Sequence, residues 1–167
     1  MTDIAATFAA YPDIHLTPDN IAHYEALGER RLVFNRCGDC GHWIIASRPL
    51  CPQCWSWNVS PREVSGLGRV FMFTLLYQLR DPASHIPEPM PVAAVELVEQ
   101  DGLRYLARIV NCPLEVISHD MPVQLTWIDL PDGSTWPAFE PFRGSREKVG
   151  TGFSHQAMRQ PRRAGDH

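Results

Sequence analysis

Residues 37–54 read CGDCGHWIIASRPLCPQC and are the most informative segment of the chain. It contains two C-x-x-C pairs separated by ten residues, and such pairs fold back far enough for four sulfurs to share one tetrahedral zinc ion. Because cysteine fills all four positions, no coordination site is left for water, so the metal would be structural and not hydrolytic. We therefore predict one structural zinc ion per chain, held by Cys37, Cys40, Cys51 and Cys54.

Two disulfides or a redox-active C-x-x-C are the alternatives for these cysteines. The first eleven residues hold no basic residue and only Asp3 as a charge, which is unlike a secretory or transit segment. We therefore expect a cytoplasmic, reducing location in which the thiols stay free. A redox pair would belong to a βαβ unit, whereas residues 43–50 read as a short strand and a turn. The pattern favours a zinc ribbon.

One short amphipathic helix is predicted before the ribbon. Thr17 is an N-cap candidate, Pro18 suits the first helical position, and Gly28 supplies a stop. Between them, Tyr24 and Leu27 belong to an apolar series spaced three residues apart. A helix of about ten residues is not stable alone, so its apolar face must pack on the domain or on a partner.

Residues after the ribbon alternate with a period of two, which indicates β-strands. In the first run, residues 69–79, the even-numbered Val70 to Leu76 lie on one face and the odd-numbered Phe71 to Tyr77 on the other, and both faces are apolar. Further strands are predicted at residues 92–98, 103–110, 123–128 and 136–139, with a hairpin turn at Asp101-Gly102. These features predict a five-stranded Greek-key barrel of the OB-fold type.

The chain is thus predicted to be mainly β and to divide into four parts. These are a helical segment (residues 1–35), the zinc ribbon (36–62), the barrel (63–142) and a basic tail (143–167), flexible or bound to a partner. The tail carries a net charge of +4 and the rest of the chain −8. No apolar run approaches the roughly 20 residues of a membrane span, so we expect no membrane contact.

Charge and motifs narrow the function classes. A zinc ribbon and an OB barrel bind nucleic acid in many proteins, but a strongly acidic body and a single lysine in the chain disfavour binding to phosphates. The sequence has no G-x-S-x-G elbow, P-loop or complete G-x-G-x-x-G. A His119-Asp120 base, a reactive Cys112 thiol and His42 as a substitute zinc ligand are weaker signals. We expect no catalytic residues in this chain.

The tryptophans of the ribbon are more informative. Trp43, Trp55 and Trp57 lie in a module too small to bury three indoles. Exposed tryptophan beside Ile44 and Ile45 is typical of an interface anchor. The alternative for one or two of them is packing between ribbon and barrel.

Several short motifs accompany the cysteines in a fixed order. They are His23-Tyr24-Glu25-Ala26-Leu27, Ser65-Gly66-Leu67-Gly68-Arg69-Val70, Phe73-Thr74, Pro91-Val92-Ala93-Ala94-Val95-Glu96-Leu97, Met121-Pro122-Val123 and Phe139-Glu140-Pro141. Each is weak alone, but the ordered set over residues 18–141 resembles the DUF35 family of zinc-ribbon and OB-fold partners of acyl-CoA enzymes.

The resemblance implies an N-terminal helix, a rubredoxin-like ribbon, an OB barrel and an accessory role. It implies a partner that is a homodimeric thiolase or lipid-transfer-protein-like thiolase homologue, in a heterotetramer. That partner holds the catalytic residues and makes or breaks carbon–carbon bonds in acyl-CoA substrates, by thiolysis or by retro-aldol removal of a steroid side chain. The small subunit stabilises it and shapes its acyl-CoA site. A nucleic-acid module and a stand-alone acyl-CoA carrier are the alternatives.

On this basis the sequence gives two sets of candidate interface residues. The set expected to face the partner is Trp43, Ile44, Ile45, Trp55, Phe71, Phe73 and Tyr77. The set expected to approach the CoA phosphates is Arg48 and Arg80, because a guanidinium binds phosphate through two parallel hydrogen bonds.

Overall fold

The computed structural model describes residues 4–45, 47–77, 89–131 and 133–144, so Arg80 and the tail beyond residue 144 lie outside the described residues. Two helices come first, α1 (Ile4–Ala10) and α2 (Ile21–Gly28). The ribbon strands are β1 (Val33–Cys37), β2 (Trp43–Ile44) and β3 (Val59–Glu63). The barrel strands are β4 (Leu67–Leu76), β5 (Met90–Leu97), β6 (Arg104–Ile109), β7 (Pro122–Asp129) and β8 (Thr135–Pro141). The predicted mainly-β class is confirmed.

The predicted helix is present as α2, and it ends at Gly28 as expected. It starts later than the sequence indicates, because the Asn20 side chain fastens the preceding turn. Asn20 Oδ1 accepts a hydrogen bond from the Thr17 amide at 2.7 Å, and Asn20 Nδ2 donates one to the His15 carbonyl. Leu27 is fully buried in the core. The sequence did not predict α1. None of the described helices is long and apolar enough to cross a membrane.

The ribbon is a three-stranded antiparallel sheet with β1 in the middle and β2 and β3 at its edges. The five following strands close into a barrel in the order β4-β5-β6-β8-β7. Every barrel pairing is antiparallel except β6 with β8, which is parallel. This is the OB-fold barrel that the strand count and the hairpin at Gly102 predicted.

A β-bulge in β4 changes which side chains share a face. The pairing with β5 passes from Val70 opposite Val95 to Met72 opposite Ala94, so Phe71 is an extra residue. Val70 is fully buried, and beyond the bulge the inward positions pass to the odd-numbered residues, of which Phe73 packs against the core. The strict alternation expected along residues 69–79 is therefore wrong at this point, because a bulge has no period in the sequence.

Ribbon and barrel share one apolar core. Phe34, Trp43 and Val64 from the ribbon side pack in the same cluster as the barrel residues Val95 and Phe139. The predicted boundaries at residues 35/36 and 62/63 stay predictions, and β1 and β3 each extend across one of them.

The side chain of Gln100, in the β5–β6 turn, joins the two modules by pairing with the backbone of Trp43. Its Oε1 accepts from the Trp43 amide at 2.8 Å, and its Nε2 donates to the Trp43 carbonyl at 3.3 Å. The side-chain amide of Gln100 thus forms the hydrogen bonds that a neighbouring strand would form with the edge strand β2.

Candidate metal centre and exposed surfaces

The four predicted zinc ligands come together in the ribbon. Their Sγ atoms all lie within 4.8 Å of one another. Two of the sulfur pairs, Cys37 with Cys54 and Cys40 with Cys51, are 3.6 Å apart. A tetrahedral ion with Zn–S bonds of about 2.3 Å requires sulfurs about 3.8 Å apart, so the arrangement fits zinc. None of the described cysteines is in a disulfide.

Each C-x-x-C pair forms a knuckle with the same backbone hydrogen bonds. The amide of Gly41 donates to the carbonyl of Cys37, and the amide of Trp55 donates to the carbonyl of Cys51, both at 3.0 Å. Hydrogen bonding from the backbone of Cys40 lowers the pKa of the Cys37 thiol to about 6. Although the backbone hydrogen bond at Ser56 lowers it, hydrogen bonds with the other three thiols raise the pKa of the Cys54 thiol to about 12. The four thiols thus share protons, which a bound metal cation would displace.

A polar bridge holds the two knuckles together. The Asp39 carboxylate in the first knuckle accepts hydrogen bonds from the Ser56 hydroxyl and the Asn58 amide, which follow the second. These two bonds hold the pKa of Asp39 below its usual value. The Gly38 amide also donates to the Asn58 carbonyl at 2.7 Å. The knuckles are therefore positioned by side chains outside the ligand set.

The exposed aromatic surface of the ribbon consists of Trp55 and Trp57, which we call the tryptophan pair. Their exposed fractions are 73% and 74%. The structure buries Trp43 against the barrel and Ile44 against Cys37 and Cys51, while Ile45 is half-buried. Of the predicted interface residues in the ribbon, Trp55 is the one whose side chain is mostly exposed, and Trp57, which the predicted set did not include, is exposed to the same extent.

A second apolar surface lies on the outside of strands β4 to β6. Met72, Ala94 and Leu106 are opposite one another in the strand registers, with Met72 54% and Leu106 70% exposed. Phe71 and Tyr77, two of the residues predicted to face a partner, are exposed, and so is Leu76, whereas Phe73 turns inward. We call Phe71, Met72, Leu76, Tyr77 and Leu106 the barrel face. The sequence pattern could have identified Leu106 as exposed, because it lies between Arg104 and Arg108 on the same face of β6.

A charged row borders the barrel face. Glu96 is buried, and its carboxylate pairs with Arg69 at 3.0 Å and with Arg104 at 2.8 Å. Although burial of the carboxyl opposes the shift, the hydrogen bonds from Arg104 and Arg69 lower the pKa of Glu96. The Arg104 guanidinium lies 3.4 Å from the centre of the Phe71 ring. This stacking fixes the bulge residue on the outer surface.

A cavity of about 380 Å³ opens between α2, the ribbon and β6, lined among others by His23, Phe34, Ser47 and Tyr105. His23 Nδ1 is 2.7 Å from the Val33 carbonyl, which can only accept, so Nδ1 carries the proton. Burial lowers the pKa of His23, which favours the neutral ring. Arg48, which follows Ser47, is exposed.

The weaker catalytic signals do not form a site. His119 Nδ1 binds the Phe71 carbonyl at 3.0 Å, whereas the Asp120 carboxylate pairs with Arg69 at 2.6 Å, so the two side chains serve different partners. Burial raises the pKa of the Cys112 thiol, which disfavours the reactive thiolate. Within the described residues the metal-ligating cluster consists of the four cysteines alone, without His42.

Two family models match adjacent parts of the chain. Residues 25–60 match the rubredoxin-like zinc ribbon domain of ChsH2, and residues 61–127 match the ChsH2 C-terminal OB-fold domain.

A DUF35 domain-containing scaffold protein of Pyrococcus furiosus is 33% identical over 97 residues, which are 57% of this chain and 67% of the relative. A probable enoyl-CoA hydratase alpha subunit of Thermomonospora curvata is 33% identical over 133 residues, or 80% of this chain. The matched part is 40% of that relative's length.

Solved structures give the same architecture. A chain of a complex described as the Ltp2-ChsH2(DUF35) aldolase superposes with a TM-score of 0.68 at 32% identity, covering 77% of this chain and 98% of that one. A DUF35 protein of unknown function from Sulfolobus solfataricus superposes with a TM-score of 0.54 at 13% identity, covering 83% and 96%. At that identity the second likeness supports the fold alone.

Proposed function

This chain belongs to the DUF35 family of zinc-ribbon and OB-fold proteins, and we therefore propose that it is a non-catalytic accessory subunit of an acyl-CoA enzyme. The proposed partner is a homodimeric thiolase or lipid-transfer-protein-like enzyme that makes or breaks carbon–carbon bonds, and the complex is a heterotetramer. One observation carries the proposal. The likeness to a chain of the Ltp2-ChsH2(DUF35) aldolase covers 98% of that chain at a TM-score of 0.68.

The exposed apolar surfaces support association with a protein. The tryptophan pair and the barrel face together leave seven large apolar side chains in water, with exposed fractions from 37% to 74%. Tryptophan and other large apolar side chains dominate binding energy at interfaces because their burial removes much apolar area from water. We propose that these two surfaces contact the partner.

The polar chemistry of the described residues supports an accessory role. The zinc cluster is filled by four thiolates, and His119 and Asp120 bind a backbone carbonyl and an arginine. A metal surrounded by four protein ligands has no open position for a substrate. We therefore assign the reacting groups to the partner.

The proposal also includes a direct contact between this chain and the acyl-CoA substrate. Arg48 is exposed beside the cavity that contains Ser47 and His23, and a guanidinium there can bind a phosphate through two hydrogen bonds. We propose that Arg48, with Arg80, approaches the CoA phosphates where this chain meets the partner's acyl-CoA tunnel. In this way the subunit helps to shape the substrate site.

The test begins with an affinity purification of the tagged full chain from its native host, followed by mass spectrometry. The protein that remains bound is then co-expressed with this chain, and light scattering gives the stoichiometry. We expect a thiolase-like protein at a one-to-one ratio. A thiolase-like protein that fails to form a complex with the purified chain contradicts the proposal, as does a chain that is recovered alone or with nucleic acid.

Variants of the exposed surfaces make the test specific. Trp57→Ala and Leu106→Ser are each expected to weaken the complex by about tenfold or more, since hot-spot side chains contribute about 2 kcal/mol. Val116→Ser is the matched control, because Val116 is 53% exposed and lies outside both surfaces. Equal affinities of all three variants for the partner would show that the tryptophan pair and the barrel face do not contact it. An Arg48→Ala complex that keeps the wild-type KM for acyl-CoA would exclude the phosphate contact.

A further inference from the structure

An apolar groove of about 310 Å³ lies on the barrel between β6 and β8. The two strands pair only at Arg108 with Ala138 and Ile109 with Phe139, so they diverge towards Leu106 and Trp136. The groove forms where they separate. Its apolar walls include Val92, Leu106, Ile128, Leu130, Trp136 and Pro137.

Among the described residues that line the groove, Arg108 is the one with a charged side chain. Arg108 is half-buried, and its Nε atom is inaccessible to water and has no hydrogen-bond partner. Among the described residues no carboxylate forms an ion pair with it, in contrast to Arg69 and Arg104 on the same barrel, which share Glu96. Desolvation lowers the pKa of Arg108.

An unpaired cation in apolar surroundings is unfavourable in the free chain. Removing part of the hydration of a guanidinium has a free-energy cost, and a hydrogen-bonded anion can offset it. Replacing it by an apolar side chain of similar volume would avoid that cost. The position of Arg108 is therefore explained if an anion from outside the chain completes the site.

The lining defines the rest of the ligand. Small-molecule sites are typically concave, mostly apolar and of 300–1,000 Å³, with a few polar groups that fix orientation. Here the apolar walls suit a hydrocarbon body, and one cation suits one anionic end. Arginine binds carboxylates in a planar, two-hydrogen-bond geometry.

We propose that this groove is a binding site for a small amphipathic carboxylate, with the carboxylate on Arg108 and the hydrocarbon body along Leu106, Ile128 and Trp136. The described residues that form the site all belong to the barrel. The site shares Leu106 with the barrel face, and its other lining residues lie outside the partner and CoA contacts proposed above. Its test uses the free, zinc-loaded full chain, so its outcome does not depend on whether the accessory role is correct.

The experiment is calorimetric titration with decanoate, below its micelle concentration and at neutral pH, with 1-decanol as the uncharged probe. We expect saturable binding of one decanoate per chain and at least tenfold weaker binding of 1-decanol. Arg108→Gln is expected to weaken decanoate binding at least tenfold, because a charge-assisted pair becomes a neutral contact. Arg108→Lys keeps the charge and is expected to lose less affinity.

A second measurement separates a binding role from a structural one. Arg108→Met removes the unpaired cation, so it is expected to raise the thermal unfolding temperature of the free chain while abolishing the preference for decanoate over decanol. No saturable decanoate binding, or equal binding by wild type and Arg108→Gln, would overturn the proposal. So would a lower unfolding temperature of Arg108→Met, because it would show that Arg108 stabilises the barrel itself.

Discussion

Trp55 occupies in the second zinc knuckle the position that Gly41 occupies in the first. Each residue follows the last cysteine of its pair, each donates its amide to the carbonyl of the first cysteine at 3.0 Å, and each has a positive φ, 60° for Trp55 and 75° for Gly41. Glycine adopts this conformation without strain, whereas a bulky side chain does not. An exposed tryptophan at this position therefore has no benefit for the ribbon itself, which agrees with a role in binding.

Trp55→Gly is expected to relieve this strain. The left-handed conformation costs a non-glycine residue on the order of 1 kcal/mol, and the greater freedom of glycine in the unfolded chain offsets part of the gain. We predict that Trp55→Gly leaves the free energy of unfolding unchanged or raises it by up to about 1 kcal/mol, measured by chemical denaturation. Trp57→Gly is the control, since its φ is not positive. A Trp55→Gly variant that is less stable than Trp57→Gly would contradict the explanation.

Removal of zinc is expected to unfold the ribbon and to disturb the barrel. Cys37 and Cys51 are buried in the small core of the ribbon, which has Ile44 as its other buried member. Such a core is too small to fold without the metal. We predict about one zinc per chain by elemental analysis, loss of metal in Cys51→Ala, and retention of metal in Cys112→Ala. Full metal content in Cys51→Ala would disprove the four-cysteine site.

Replacing Glu96 is expected to destabilise the barrel in a pH-dependent way. Glu96→Gln leaves Arg69 and Arg104 without their shared carboxylate, at an expected cost of about 2 kcal/mol at neutral pH. Because the pKa of Glu96 is lowered in the folded state, its stabilisation is present above the unfolded value of about 4.3 and is lost as the pH falls through the folded pKa.

The measurement is the difference in unfolding free energy between wild type and Glu96→Gln as the pH is lowered from 7. The difference is expected to shrink at acid pH, and zinc release affects both proteins alike. Glu63→Gln is the matched control, because its ion pair with Arg31 is exposed to solvent and is expected to contribute little to stability. A difference that does not change with pH would rule out the carboxylate as its source.

Gly68→Ala is expected to be strongly destabilising. A Cβ at this position would lie 2.6 Å from the Glu96 carbonyl oxygen and 2.7 Å from Val95 Cγ1, so β4 and β5 would have to move apart. Overpacking of this kind costs about 1–3 kcal/mol or more. A Cβ on Gly28 would meet nothing within 4 Å, so Gly28→Ala is expected to change stability little. Thermal denaturation of both variants makes the comparison.

The parts of the molecule that could be predicted are those in which one local rule decides the structure. The cysteine spacing identified the metal ligands, and the period of two with a glycine turn identified the barrel. The bulge at Phe71 could not be predicted, because it depends on how β4 and β5 pair and not on the residues of β4 alone. After the bulge, Met72 faces outwards and Phe73 inwards, so the predicted faces exchange.

The burial of Trp43 could not be predicted for a similar reason. In the sequence it resembles Trp55 and Trp57, since each lies close to a zinc knuckle. What distinguishes it is its contact with the barrel core and with Gln100, which is 57 residues away in the chain. Which indole is covered follows from the docking of two modules, and local sequence patterns do not contain that information.

The pairing of Gln100 with Trp43 also has a consequence for aggregation. β2 is an edge strand, and an edge strand with free amide and carbonyl groups can recruit strands of other molecules. The Gln100 side chain occupies the amide and the carbonyl of Trp43, the first of the two residues of this edge strand. A single side chain thereby closes one edge of the ribbon to strand addition at Trp43, while β3, in which Pro61 has no amide hydrogen to donate, forms the other edge.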